Sequence, residues 1–250
     1  MQTTTKPLTG RIALVTGGAR SIGAAIVKQL ASEGASVVFT YVRSQNKADE
    51  LVQEIEQEGG RAKAIRADSA DTEALKAAVD ETIQVFGGID ILVNNAGFSS
   101  MKNYTEFTME EFDQIVAVNF KAVFAGIQAA APRMKKGGRI INIGSIAAVS
   151  NPFPANSLYV ATKAAVAGLT RALAHDLAPQ GVTINNIQPG MIDTDMNPET
   201  AEHASLMQSM IPLKRYGTAS EVASLVAYIA SPESSYITGA SLNVDGGTNI

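Results

Sequence analysis

Tyr159-Val160-Ala161-Thr162-Lys163 sets a phenol and an ammonium four residues apart, near the start of a run with helical character. Residues at i and i+4 share a helix face, so the two side chains point the same way. A neighbouring ammonium favours the phenolate. Moving a Tyr from about 10 toward about 7 requires roughly 4 kcal/mol of differential stabilisation. A phenol tuned in this way gives a proton to a carbonyl oxygen as a hydride arrives, or removes one from an alcohol in reverse. Taken alone, the same spacing also describes an ordinary pair on a helix surface. Ser145 stands fourteen residues earlier, just past an apolar run. Its hydroxyl suits a hydrogen bond to a substrate oxygen, or a plain turn cap. Asn119 falls inside another helical run, where Asn has poor propensity. A buried Asn there can hold a water that links Lys163 to solvent, or can simply bend the helix.

A second group of residues suits phosphate. Thr16-Gly17-Gly18-Ala19-Arg20-Ser21-Ile22-Gly23 follows a short apolar run and opens a helical one. Small residues let the backbone approach a pyrophosphate, and a helix N-terminus supplies N–H donors and positive potential. NAD sites usually add an Asp or Glu about 20 residues on, at the end of strand two. Here that region reads Thr40-Tyr41-Val42-Arg43-Ser44, with no acid. Arg43, Ser44 and Arg20 suit a ribose 2′-phosphate, because the guanidinium fork donates two hydrogen bonds. The spacing favours NADP(H) over NAD(H); the alternative is that both arginines are solvated surface charges.

Elements must bring these groups together. Val- and Ile-rich runs at Ile12–Thr16, Ser36–Tyr41, Ala62–Ala67, Ile89–Val93, Arg139–Ile143, Val182–Gln188 and Ala240–Val244 read as strands buried on both faces. Helical stretches fall at 21–33, 46–58, 72–86, 108–135, 157–178 and 220–230, and several end on glycine. This predicts an α/β fold: a single-domain, Rossmann-type, doubly wound parallel sheet of seven strands, flanked by helices on both faces. No linker divides residues 1–250. The Met-bearing stretch 191–219 breaks the alternation and reads as a flap over a ligand.

Composition narrows the chemistry. The chain has 250 residues, 24 acidic and 20 basic, no Cys, and only His175 and His203 as imidazoles. Disulfides, thiol nucleophiles and Cys-ligated metals are excluded, and no metal site is expected. A net charge of −4 gives no reason to expect nucleic acid as a partner. No apolar run approaches ~18 residues and Met1–Gly10 lacks a secretory apolar core. The expectation is a cytoplasmic protein without a membrane partner.

The order Asn119, Ser145, Tyr159, Lys163 after a Gly-rich turn resembles the short-chain dehydrogenase/reductase family, from Gly10 to Gly247. The turn is similar to that family's T-G-x-x-x-G-x-G loop, with Ser21 in place of the middle glycine. The resemblance implies catalytic roles for those four residues. It implies cofactor contacts from Gly17, Arg20, Ser21, Ile22, Gly23, Tyr41, Arg43 and Ser44. It adds Asp68 and Ser69 near the adenine, and Asn95, Ala96 and Gly97 of the N-N-A-G segment near the nicotinamide ribose. Tyr159, Lys163, Pro189, Gly190, Ile192 and Thr194 complete the set, and Asp245-Gly246-Gly247 matches the C-terminal D-G-G turn.

Val182-Thr183-Ile184-Asn185-Asn186 leading into Pro189-Gly190 is similar to 3-oxoacyl-[acyl-carrier-protein] reductase-like members. Lys135 and Lys136 would then flank the site mouth to dock an acidic carrier, although Gln180 stands where carrier-using relatives often have Arg. A mostly apolar pocket is expected from Phe98, Ser145, Ile146, Ala147, Phe153, Tyr159, Met191, Ile192 and Met196. The implied activity is NADPH-dependent reduction of a ketone, either 3-oxoacyl or another apolar carbonyl. The alternatives are an alcohol or sugar dehydrogenase, or a dinucleotide-binding regulator without turnover. The resemblance also implies a homotetramer built on the helices at 108–135 and 157–178. Phe112, Val116, Phe120 and Phe124 fit such an interface or the protomer's own core.

Overall fold

The computed structural model describes residues 6–151, 153–202 and 204–249, so His203 lies outside the described residues. Seven parallel strands are ordered β3-β2-β1-β4-β5-β6-β7. They are β1 (Ile12–Val15), β2 (Ser36–Tyr41), β3 (Arg61–Arg66), β4 (Ile91–Asn94), β5 (Arg139–Ile143), β6 (Thr183–Pro189) and β7 (Ser241–Val244). The helices are α1 (Ser21–Ser32), α2 (Gln45–Gln57), α3 (Thr72–Phe86), α4 (Met109–Val116), α5 (Ala122–Ala130), α6 (Ser157–Leu177), α7 (Ala204–Met210) and α8 (Ala219–Ala230). All seven expected strands are present.

Alternation along the strands builds two cores. Ala13, Val15, Val37, Phe39, Ile141 and Ile143 face α1, α2 and α8. Leu14, Val38, Leu92, Ile140 and Ile184 face α3, α5 and α6. The central strands β1 and β4 are buried on both faces and their sequences are apolar almost throughout, whereas the edge strands β3 and β7 alternate polar and apolar residues. The order reverses between β1 and β4, whose carboxyl ends therefore open a crevice. The turns after β1, β4, β5 and β6 all meet there.

The expected helix over 108–135 is not continuous. Thr108 and Glu111 form a capping box that starts α4. Ala117–Lys121 then forms one π turn, α5 follows, and Ala131–Arg133 ends as a 3₁₀ turn. Asn119 sits in the π turn, a widening that commonly marks functional positions. An 18-residue window within Met109–Arg133 is long and apolar enough to cross a membrane by composition, contrary to the reading of the bare sequence. Its Val123, Ile127 and Ala130 instead pack into the protomer's core.

The flap is only partly helical. Ala204, Ile211 and Tyr216 form a small core of its own, with Met191 and Met207 packed against it.

Polar groups tie the elements that carry the site. Asn94 donates to Asn142 Oδ1 at 2.8 Å, and Asn142 donates to Thr170 Oγ1 at 3.0 Å. All three residues are buried, and they link β4, β5 and α6 in one chain. Asn142→Leu fills the same volume but strands the Asn94 amide. The expected cost is about 1–3 kcal/mol in urea unfolding, and an unchanged midpoint would contradict this role for the network.

Candidate active site

The turn after β1 is held by residues of its neighbours. Thr16 Oγ1 accepts from the N–H groups of Asn95 and Ala96 at 3.0 and 3.1 Å. Asn95 Nδ2 donates back to the Thr16 and Gly17 carbonyls at 2.9 and 3.0 Å. Asn95 is thus a brace for the loop as well as a candidate ligand. Gly23 must be glycine: an added Cβ would lie 2.2 Å from the Gly17 carbonyl oxygen. Ser21 adopts φ +50°, the left-handed region that glycine enters without strain. Its hydroxyl accepts from the N–H of Asp195 at 3.3 Å, so the side chain engages the flap.

At the end of β2, Tyr41 is buried and its hydroxyl donates to Gln45. Arg43 is exposed, and Ser44 begins α2 without using its hydroxyl as a cap. Arg20 pairs with Asp195 at 3.4 Å, and Lys47, which the sequence reading missed, approaches the same carboxylate oxygen at 4.0 Å. Lys47 lies in the first turn of α2, and only folding shows that this turn faces Arg20. Asp68 turns its own loop by accepting from the Ala70 N–H at 2.9 Å, and Ser69 is buried near Thr16, Asn94 and Ala96. A Cβ on Gly190 would lie 2.7 Å from the Asp245 side chain, so the P-G segment packs directly on the D-G-G turn. Ile192 is buried and bridges to Gly217, while Thr194 pairs with Asn197. The Gly-rich turn, the flap segment and the basic residues gathered at the end of β2 fit a dinucleotide.

The Asn119, Ser145, Tyr159 and Lys163 side chains come together at the carboxyl end of β5. Ser145 is buried, caps the next turn by accepting from Ala147 N–H at 3.1 Å, and lies beside Tyr159, whose phenolate its hydroxyl favours. Lys163 is 6% exposed, and its Nζ donates to the Ile143 carbonyl at 2.8 Å. Nζ lies 5.6 Å from the Tyr159 ring centroid. Asn119 accepts from the Phe98 N–H at 3.0 Å and donates to the Phe98 carbonyl at 2.8 Å and to Thr162 at 3.3 Å. It therefore fixes the loop after β4. A Cβ on Gly97 would sit 3.4 Å from Asn119 Oδ1 and 3.5 Å from Lys163 Nζ, so both groups border that glycine.

The expected downward tuning of Tyr159 is not a property of the protein alone. Burial pushes the phenol above its usual value, and the neighbouring Ser145 hydroxyl only partly opposes this. Burial also lowers Lys163 to about 8, so its ammonium is itself discouraged, and its hydrogen bond goes to a strand carbonyl.

The expected pocket is only partly assembled. Phe98, Ala147 and Phe153 are half-buried around the cleft, and Ile146 is buried. Met191 instead packs into the flap core, and Met196 is 57% exposed. Asn151 and Asn156, which the sequence reading passed over, organise this rim. Asn151 donates to the Phe153 carbonyl at 2.6 Å, and Asn156 joins Asn151 to Ser99. Lys135 and Lys136 do not flank the mouth. They precede β5, at the opposite end of the sheet from Ser145, and Gln180 likewise precedes β6.

The chain belongs to the short-chain dehydrogenase/reductase family. The family described as enoyl-(acyl carrier protein) reductase matches residues 17–249. Among its relatives, 3-oxoacyl-[acyl-carrier-protein] reductase FabG of Staphylococcus aureus is 42% identical over 239 residues, covering 94% of this chain and 96% of that protein. A dehydrogenase/reductase from Sinorhizobium meliloti is 50% identical at a TM-score of 0.97, covering 99% of this chain and 98% of that one. A short-chain dehydrogenase from Burkholderia cenocepacia in complex with NADP is 47% identical at a TM-score of 0.96, covering 98% and 100%.

Lys163 sets a pH signature. Its folded value of about 8 lies below the ordinary 10.5, so between these the unfolded chain holds more protons and stability rises with pH. Relative to Lys163→Met, the wild type should gain roughly 3 kcal/mol across that window. Urea midpoints measured against pH check this, and parallel curves for the two proteins would contradict it.

Proposed function

We propose that the chain is an NADP(H)-dependent oxidoreductase that reduces a ketone to a secondary alcohol. The observation that carries this reading is the buried Lys163 Nζ, 5.6 Å from the Tyr159 ring centroid, with Ser145 beside the phenol. A bound nicotinamide supplies the hydride and, when oxidised, a positive charge. Tyr159 gives its proton to the carbonyl oxygen as the carbon takes the hydride. Ser145 steadies that oxygen by hydrogen bond as negative charge develops. Lys163 returns a proton toward Tyr159, and a water held between Asn119 and Lys163 beside Gly97 connects them to solvent. The reverse sequence oxidises an alcohol, with Tyr159 as base.

The preference for NADP(H) rests on Arg20, Arg43, Ser44 and Lys47 around the end of β2, whose own segment Thr40–Ser44 carries no acid. It agrees with the NADP complex of the Burkholderia cenocepacia relative. Half-buried Phe98, Ala147 and Phe153 favour an apolar ketone or acyl chain, in keeping with the 3-oxoacyl substrate named for the Staphylococcus aureus relative. Docking of a carrier protein through Lys135 and Lys136 is not carried forward, given their position. The protein is proposed to act in the cytoplasm as a homotetramer. Phe112 and Phe124 project outward from the α4–α5 run at 37% and 44% exposure, which supports an interface there.

Turnover of a panel of ketones and 3-oxoacyl thioesters, followed by nicotinamide absorbance with NADPH and NADH, tests the reading. Tyr159→Phe should lower kcat by about 10²–10⁴ and leave dinucleotide binding nearly unchanged. Retained turnover in that variant would refute the acid role. A clear preference for NADH would refute the 2′-phosphate assignment.

A further inference from the structure

The flap reaches across the Gly-rich turn and sets a carboxylate among the cations that the NADP(H) reading needs. Asp195 Oδ2 lies 3.4 Å from Arg20 Nη1 and 4.0 Å from Lys47 Nζ. Its backbone N–H donates to Ser21 Oγ at 3.3 Å, which fixes the segment over the start of α1. The neighbouring acids do not share this position. Asp193 Oδ1 accepts from the Glu199 N–H at 3.0 Å within the flap's own turn. Among the described residues, Asp195 is the flap carboxylate that pairs with cations of the cradle.

We propose that Asp195 is a cofactor-selectivity residue, whose carboxylate takes the seat between Arg20 and Lys47 that a ribose 2′-phosphate requires. Arg20 opens α1 and Lys47 opens α2, so the space between them is where the end of β2 meets the phosphate turn. NAD(H) brings no charge to that space. NADP(H) brings a phosphate of about −1.5 to −2. It must then share its cations with Asp195 or displace it, and that cost falls on NADP(H) alone. Asp195 therefore holds the preference for NADP(H) below what Arg20 and Lys47 would otherwise confer. Arg43, exposed and without an ion pair among the described residues, remains available to both arrangements. The inference rests on the reading that Arg20 faces a cofactor phosphate.

Asp195→Asn removes the charge and leaves the backbone bond to Ser21 in place. Dissociation constants for NADPH and NADH, read from reduced-nicotinamide fluorescence, should separate. NADPH should tighten about 2- to 5-fold at low salt, the range of one or two exposed ion pairs, while NADH moves little. High salt should shrink the difference, and an Arg20→Ala/Lys47→Ala background should abolish it. If NADPH binding is unchanged or weaker, or if both cofactors shift together, Asp195 is only a strap and the proposal fails. The shift is measured against the wild type's own NADPH-to-NADH ratio. A wild type that prefers NADH would overturn the NADP(H) reading, while the response to Asp195→Asn would still decide this one.

Discussion

A lysine ammonium buried beneath a strand end is the constraint around which this site is arranged. Lys163 donates to the Ile143 carbonyl from the inner face of α6, and burial holds it near 8. A charged group in that position is tolerated only where hydrogen bonds meet it and polar groups surround it. The surroundings follow from this need. α6 must dock closely on β5, which Asn142 secures through Thr170. The loop after β4 must pass beside Nζ with no side chain, which Gly97 allows. Asn119 must hold that loop in place, which the π turn permits by rotating it inward against Phe98. Tyr159 and Ser145 then meet as a consequence of the docking.

The candidate site was legible in the sequence because its residues stand at short spacing. Tyr159 and Lys163 share a helix turn, and the Gly-rich turn is contiguous. The central strands were legible for a similar reason, since burial on both faces leaves nearly continuous apolar runs, and the edge strand β3 by its place between glycine-ended helices. What escaped was set by contacts distant in sequence. Nothing near Asn119 announces a π turn, and the Phe98 backbone that its side chain meets there lies 21 residues away in sequence. Lys47 reads as one more charge on an exposed helix until α2 is placed beside Arg20. Lys135 and Lys136 looked suitable for a carrier by type alone, and the strand direction puts them at the wrong end of the sheet. The Tyr159 proton affinity is not legible from spacing alone, because burial in the protein alone raises the phenol and weakens the cation together.

The two halves of the crevice use charge in opposite ways. At the acid–base end, burial suppresses charge on Tyr159 and Lys163, so the site is poised for an incoming group to change their balance. At the phosphate end, Arg20, Lys47 and Asp195 are all half or more exposed, so solvent screens them and each pair is weak. Strong effects on rate are therefore expected from the buried residues, and graded effects on cofactor choice from the exposed ones. The flap joins the two, since Gly190 packs on Asp245 at its base while Asp195 touches the phosphate turn at its far side.

The central claim is that Tyr159 becomes a usable acid through its surroundings rather than through Lys163 alone. An ultraviolet phenolate titration of the wild type, less that of Tyr159→Phe, measures its ionisation directly. In the protein alone, Tyr159 should titrate above the ordinary tyrosine value of about 10. With oxidised dinucleotide bound, it should move down toward neutrality. A Tyr159 that ionises near the ordinary value in both states would contradict the account.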